Sequence, residues 1–395
     1  MKQKHKKHED IARPDLGVFG RCEWAILGTN CGAIKKLAFQ LCKALSPKWK
    51  IAYTDADHKS ADEELLQGRN TASALPHGAA MEYTDKITFH RFDLSAKPET
   101  HQFRPLFNEA DAVLVNGNHF TAKHQVVVID PAKEDSLRRK LDRLTDLQLI
   151  LLSEGIEAVP AFLDGHLNRK RAEGEGVLVL HLSDFQSIRA FFEKKLEAAV
   201  PVLNGLVLVG GRSRRMGTDK ALLDYHGKPQ QEVMMDLLDK CCDRTYLSCR
   251  PDQAGELAYL YDVLPDTFTG LGPMGAVLSA LRHAPDRAWL VTACDLPLLD
   301  EVALRFLVEN RNPSAAATAF RSPESGFPEP LVAIWEPKSY LILMQFLAQG
   351  YSCPRKVLIN SPIQLVEAPD PNALMNVNTP EDVGAVLSKL NSMAG

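Results

Sequence analysis

LVLVGGRSRRMGTDKALL, residues 206–223, decides the fold of the C-terminal half. A short apolar run ends in Gly210 and Gly211, and Arg212, Arg214, Arg215 and Lys220 follow at once. A Leu/Val run bounded by glycine predicts a buried parallel strand. Paired glycines at its carboxyl end let the backbone turn sharply and bring N–H groups close to phosphate oxygens with no side chain in the way. Open α/β sheets bind ligands at that edge. Forked guanidinium groups and an ammonium then supply the positive charge a triphosphate requires.

The same edge is expected to collect other groups. VTACDLPLL, residues 291–299, is an apolar strand that ends in Asp295 and is stopped by Pro297. A lone acid after a strand is most often a cap or turn residue, but beside a basic glycine loop it predicts oxygen ligation of Mg²⁺ that bridges phosphate oxygens. In LPDTFTGLGPMGAVLSAL, residues 264–281, Asp266 and a turn at Gly272 precede a helix whose N-terminus could face an anion or a sugar hydroxyl. A simple turn before a helix is the competing reading. MNVNTPEDV, residues 375–383, places Asn376 and Asn378 before Thr379, which is expected to cap a helix starting at Pro380.

These motifs resemble the molybdenum cofactor guanylyltransferases, the MobA family, within the wider Rossmann-like nucleotidyltransferases. The family loop L-A-G-G-x-x-x-R-M-G-x-D-K, a Gly-Pro turn, a C-D-x-P acid and N-V-N-T-P-E all have counterparts here in the same order, within residues 203–390. Val209 in place of alanine is a departure that a backbone contact survives. The resemblance implies that Leu208, Val209, Gly210 and Gly211 lie against the nucleotide, with Gly272 in the turn beside it. It implies that Lys220 and Arg215 neutralise the phosphates, that Asp266 helps read the nucleotide, and that Asp295 binds Mg²⁺. A family asparagine at the end of the second strand falls near Ser248, and its role is carried over to Ser248 on uncertain spacing. GTP and molybdopterin would then give the guanine dinucleotide form of the molybdenum cofactor and pyrophosphate. Molybdoenzymes or cofactor-delivery proteins would be further partners. Cytidylyl transfer to a related cofactor, or a non-catalytic nucleotide- or cofactor-binding adaptor, are the alternatives.

The whole chain frames this reading. Its 395 residues suit two α/β domains, each Rossmann-like, with short Val/Ile/Leu runs alternating with amphipathic stretches. The expected division is a tail over residues 1–20, a first domain over 21–198 and the nucleotidyltransferase over 199–395, its sheet mostly parallel. There is no internal repeat and no low-complexity linker. A net charge of −4 argues against a general nucleic-acid binder, and no apolar run is long enough to span a bilayer. Eight scattered cysteines predict free thiols in a reducing cytosol, and the basic start MKQKHKKHED lacks the apolar run of a secretory signal.

In the first half, WAILGTNCGAIKKLAFQLCKAL, residues 24–45, has the strand–glycine–helix layout of a phosphate-binding loop, but Ala33, Ile34 and Lys35 stand where Gly, Lys and Ser or Thr would be needed. This layout resembles the P-loop accessory protein of the same pathway, the MobB family, with Asn116-Gly117 in place of that family's Glu-Gly pair. Loss of these groups predicts a structural or adaptor role rather than nucleotide hydrolysis. An anion site at Gly28, Gly32 and Lys35, with Asp55, Asp57 and His58 near it, is the other possibility.

Overall fold

The computed structural model describes residues 17–57, 73–174, 176–209, 220–377 and 379–393, without the side chains of 220, 380 and 391–393. The chain divides into two compact units, Met1–Ala199 and Val200–Gly395.

The N-terminal unit is built on a six-stranded sheet of β1 (Glu23–Leu27), β2 (Ile51–Thr54), β5 (Ala112–Asn116), β6 (His124–Ile129), β7 (Leu147–Leu152) and β8 (Leu178–His181), in the order β2-β5-β1-β6-β7-β8. All of its pairings are parallel. β1 and β5 are buried along their whole length, which is why residues 24–27 and 112–115 read as unbroken apolar runs rather than alternating ones, with buried Glu23 and Asn116 at the strand ends. Gly28 ends β1 at φ +95°, and a Cβ there would sit 2.2 Å from the carbonyl oxygen of Val128, so both conformation and space demand glycine. Helix Cys31–Leu45 follows, its N-terminus capped by Asn30, and buries Ile34, Leu37, Ala38, Leu41 and Leu45. Helix Phe185–Ala198 is capped by Asp184 and buries Ile188, Phe191, Phe192 and Leu196 at the same periodicity.

Two features of this unit depart from the sequence reading. A separate hairpin, β3 (Met81–Asp85) with β4 (His90–Leu94), stands where no element was expected. Residues 131–143 do not form one helix but three short pieces, Pro131–Lys133, Glu134–Arg138 and Leu141–Arg143, although their composition favours helix. This stretch buries only Leu137 among its helical residues, so no continuous apolar stripe holds a longer helix to the core.

The C-terminal unit carries a seven-stranded sheet of β9 (Leu203–Leu208), β10 (Thr245–Cys249), β11 (Val263–Pro265), β12 (Ala288–Ala293), β13 (Ala317–Arg321), β14 (Pro328–Trp335) and β15 (Gln364–Val366). The order is β11-β10-β9-β12-β14-β13-β15, with β14 antiparallel to both its neighbours and the other pairings parallel. Successive residues of β9 enter different cores. Val207 packs with Met234, Leu238, Leu304 and Leu307, whereas Leu206 packs with Val277, Leu281, Trp289 and Trp335. The sheet is therefore covered on both faces, as its apolar strands require. Among the described residues no helix is long and apolar enough to cross a membrane.

Candidate functional site

Four parallel strands of the C-terminal unit end side by side. Leu208 is level with Ser248 on one side and Ala293 on the other, and Ser248 is level with Leu264. The residues just beyond those positions are Val209, Asp266 and Asp295, so the chain order of the motifs becomes one continuous edge. Val209 is buried and donates its N–H to the carbonyl of Ser248 at 3.2 Å. Gly210, Gly211, Arg212, Arg214 and Arg215 lie outside the described residues, as does Asn378. Description resumes at Lys220, the first residue of the short helix Lys220–Leu222.

Ser248 and Asp266 form a pair. The buried Ser248 hydroxyl donates to Asp266 Oδ1 at 2.8 Å, and the Asp266 N–H donates to the carbonyl of Cys249 at 2.9 Å. Burial pushes the Asp266 carboxyl above its ordinary value, and the Ser248 hydrogen bond offsets part of that rise.

The turn at Gly272 has a specific structural cause. Gly272 has φ +56° and stands immediately before helix Pro273–His283, with Pro273 in the first turn where no N–H is needed. Three residues later, a Cβ on Gly275 would lie 2.2 Å from the carbonyl oxygen of Phe268, so the loop after Asp266 rests directly on the helix. Ser279 locks that contact: its Oγ accepts from Thr267 N at 2.8 Å and Phe268 N at 3.3 Å while donating to the Gly275 carbonyl at 2.7 Å. The glycines of this motif thus hold the Asp266 loop in place.

Asp295 is half-buried two residues beyond β12. Its carbonyl accepts the N–H of Val377 at 2.8 Å, which brings the Asn376 segment onto the acid from more than eighty positions away in sequence. Thr379 caps the following helix Pro380–Met393: its hydroxyl accepts from Asp382 N at 3.3 Å, and Asp382 Oδ2 accepts from Thr379 N at 2.8 Å.

The structure adds two residues to this edge that sequence reading passed over. In the antiparallel pair of β12 with β14, Thr292 faces Val332, and three further residues along each chain are Asp295 and Glu329. Glu329 is buried, and Arg355 donates to its Oε2 at 2.9 Å. Burial raises the Glu329 carboxyl most, Arg355 counters it, and the negative charge of Asp295 adds to the rise. The sequence signal was an acid held between Pro328 and Pro330 at the head of an apolar run, visible only once β14 is known to run beside β12.

In the N-terminal unit, Lys35 is exposed on the outside of its helix, with its ammonium 5.7 Å from the Phe39 ring centre, so it does not line the Gly28 turn. Asp55 instead accepts from Asn116 Nδ2 at 2.8 Å, so Asn116 serves as a donor where an acid would have been an acceptor. His58 lies outside the described residues.

The family model of the MobA-like NTP transferase domain matches residues 205–362. A molybdenum cofactor biosynthesis bifunctional protein from Synechocystis is 35% identical over 193 residues, which are 49% of this chain and 56% of that protein. The chain thus spans about half the length of that relative. A molybdenum cofactor guanylyltransferase from Pseudomonas putida is 32% identical over 187 residues, 46% of this chain and 96% of that protein. Among solved structures, molybdopterin-guanine dinucleotide biosynthesis protein A from Archaeoglobus fulgidus is 24% identical, covering 48% of this chain and 100% of that one with a TM-score of 0.42. With 32% identity running through 96% of the Pseudomonas protein, the chain belongs to the molybdenum cofactor guanylyltransferase family.

Proposed function

We propose that the C-terminal unit transfers GMP from GTP to molybdopterin, forming the guanine dinucleotide cofactor and releasing pyrophosphate. The observation that carries this reading is the single edge on which Val209, the Ser248–Asp266 pair and Asp295 with its docked Asn376 segment come together. Leu208, Val209 and Gly210 would receive the guanosine, Gly211 and Gly272 would let the backbone approach it, and Asp266 would accept from a nucleotide donor. Arg215 and Lys220 would neutralise the triphosphate and hold charge as it moves toward the leaving pyrophosphate. The phosphate of molybdopterin would attack the α-phosphorus in line, so no side-chain nucleophile is required.

The acids present fit Mg²⁺ carried in with the triphosphate. Among the described residues no group of three or more His, Cys, Asp or Glu could cage an ion. Mg²⁺ is ordinarily held by one or two carboxylates plus substrate phosphates and retained waters. Asp295 would hold it, with Glu329 close enough for its charge to be felt there. Bound Mg²⁺ supplies Lewis-acid stabilisation of phosphate oxygens. A cytosolic setting suits these substrates. The N-terminal unit, with Asn116 in place of an acid, would assist cofactor handling rather than hydrolyse nucleotide.

The test is pyrophosphate release from each of the four nucleoside triphosphates with molybdopterin present. GTP is expected to dominate, and Asp295→Asn to lower the rate by about 100-fold or more. CTP outperforming GTP would refute guanylyl transfer, and an Asp295→Asn protein with full turnover would refute the role of the acid.

A further inference from the structure

The carboxyl edge of the N-terminal sheet gathers a second set of chemical groups that guanylyl transfer does not use. Cys31 is the first residue of its helix and is half-buried. Its Sγ lies 3.4 Å from His119 Nε2 and 3.5 Å from Asn118 Nδ2. His119 Nε2 is also 3.9 Å from Asp55 Oδ1, beyond hydrogen-bonding range but well within the reach of charge. Asp55 is itself fixed by the Tyr53 hydroxyl at 2.6 Å and by Asn116 Nδ2 at 2.8 Å. Asn118 is oriented by donating to the Thr29 carbonyl at 2.9 Å and by accepting from Lys140 Nζ at 2.7 Å. The Lys140 ammonium, pushed down mainly by burial, feels the charge of Cys31.

These groups come from four separate segments and meet where β1 lies between β5 and β6. There the chain leaves β1 for β2 on one side of the sheet and later returns to place β6 on the other. Such a switch point is where an open α/β sheet offers a ligand crevice. A thiol in contact with an imidazole, a side-chain amide donor and a nearby cation has the surroundings of a reactive cysteine rather than of a packed one. Of the other cysteines in this unit, Cys22 is pushed up to about 11 and Cys42 is raised, both by burial, while Cys353 of the C-terminal unit is exposed.

We propose that Cys31 is a nucleophilic thiol, with His119 as its base, that exchanges with low-molecular-weight disulfides. In the tautomer with its proton on Nδ1, His119 takes the thiol proton on Nε2 as Sγ attacks one sulfur of the disulfide. A new S–S bond forms to Cys31, the old one breaks, and the departing thiolate takes the proton back from His119. One thiol and one disulfide become one mixed disulfide and one thiol, and no further oxidant is needed. Asp55 favours the transient imidazolium, while Asn118 and Lys140 favour the thiolate.

The experiment treats the full-length protein with oxidised glutathione at neutral pH and follows each cysteine by peptide mass spectrometry. Cys31 is expected to acquire glutathione about tenfold faster than Cys353, and dithiothreitol to reverse it. His119→Gln is expected to slow Cys31 about tenfold or more without changing Cys353. Asn118→Ala, which keeps the base, is expected to slow Cys31 severalfold. Cys22 and Cys42 of the same unit, half-buried like Cys31 but with thiols that burial raises, should stay unlabelled in both variants, which reports that the unit is folded. Cys31 reacting no faster than Cys353 in the unaltered protein would overturn the proposal whatever the variants do. So would an unchanged Cys31 rate in a folded His119→Gln protein.

Discussion

Replacing Gly275 with alanine tests whether the helix Pro273–His283 sets the position of the Asp266 loop. The added Cβ would lie 2.2 Å from the Phe268 carbonyl oxygen and 3.4 Å from Leu271 Cβ. Restoring ordinary contact requires a movement of about 1 Å. The helix side cannot yield, because Met274, Ala276, Val277 and Leu278 are all buried. The loop side is tied by Thr267 N and Phe268 N to Ser279 Oγ and by Asp266 N to the Cys249 carbonyl. Overpacking of this kind costs about 1–3 kcal/mol, and a midpoint of about 2 kcal/mol lowers the Tm of a unit this size by about 4–8 °C. A 1 Å displacement of Asp266 would also lower turnover by about 100-fold. Ser279→Ala is the control at the same seam: it removes an acceptor from two backbone N–H groups, at about 1–3 kcal/mol, without forcing a displacement. The double variant should lose less than the sum of the two, since both act on one contact. The assays are thermal unfolding with hydrogen exchange of peptides from residues 254–284, and pyrophosphate release. Gly275→Ala within about 0.5 kcal/mol of the unaltered protein, at full turnover, would refute the wedge and with it the assignment of Gly275 to loop positioning.

Ser248→Ala should move the acid limb of GTP binding to higher pH, measured by titration calorimetry across pH. The Ser248 hydroxyl favours the ionised form of Asp266, so its loss lets burial raise that carboxyl further, and a site that needs the carboxylate fails earlier as pH falls. Arg311→Ala should destabilise the C-terminal unit by about 3–5 kcal/mol, because Glu336 is wholly buried and holds Arg311 at 2.7 Å; thermal unfolding should show Arg311→Met with Glu336→Leu to be much milder. Thr379→Ala should cost about 1 kcal/mol through loss of the helix cap and speed exchange of the Val377 amide, which bonds the Asp295 carbonyl. An unchanged Val377 exchange rate would separate the cap from the docking of that segment.

Much of this molecule is local enough to read along the chain. The buried parallel strands announce themselves as apolar runs closed by glycine or an acid, because a strand covered on both faces has no polar side to interrupt it. Ala112–Asn116 and Leu147–Leu152 are legible to the residue for that reason. Family membership is equally local, since it rests on short ordered motifs. The hairpin Met81–Asp85 with His90–Leu94 was not legible, because it alternates exposed and partly covered residues without a buried face. Nor was the break in residues 131–143, where helix propensity outran the tertiary contacts needed to hold a helix.

By itself, then, the sequence determined the α/β class, the apolar strands that run into Gly210, Asp295 and Asn116, and the residue types gathered near those ends, since each depends on neighbours within a few positions. Only the tertiary structure decided which of those groups meet. Strand order set Ser248 against Asp266, antiparallel β14 carried Glu329 toward Asp295, the helix Pro354–Ile359 brought Arg355 onto Glu329, and the chain from residue 376 onward closed on Asp295. It also turned Asn116, His119 and Cys31 into one cluster rather than a failed phosphate loop. Those contacts depend on sheet register and crossover, which bring together residues scores of positions apart, and no pattern confined to one stretch of chain encodes them.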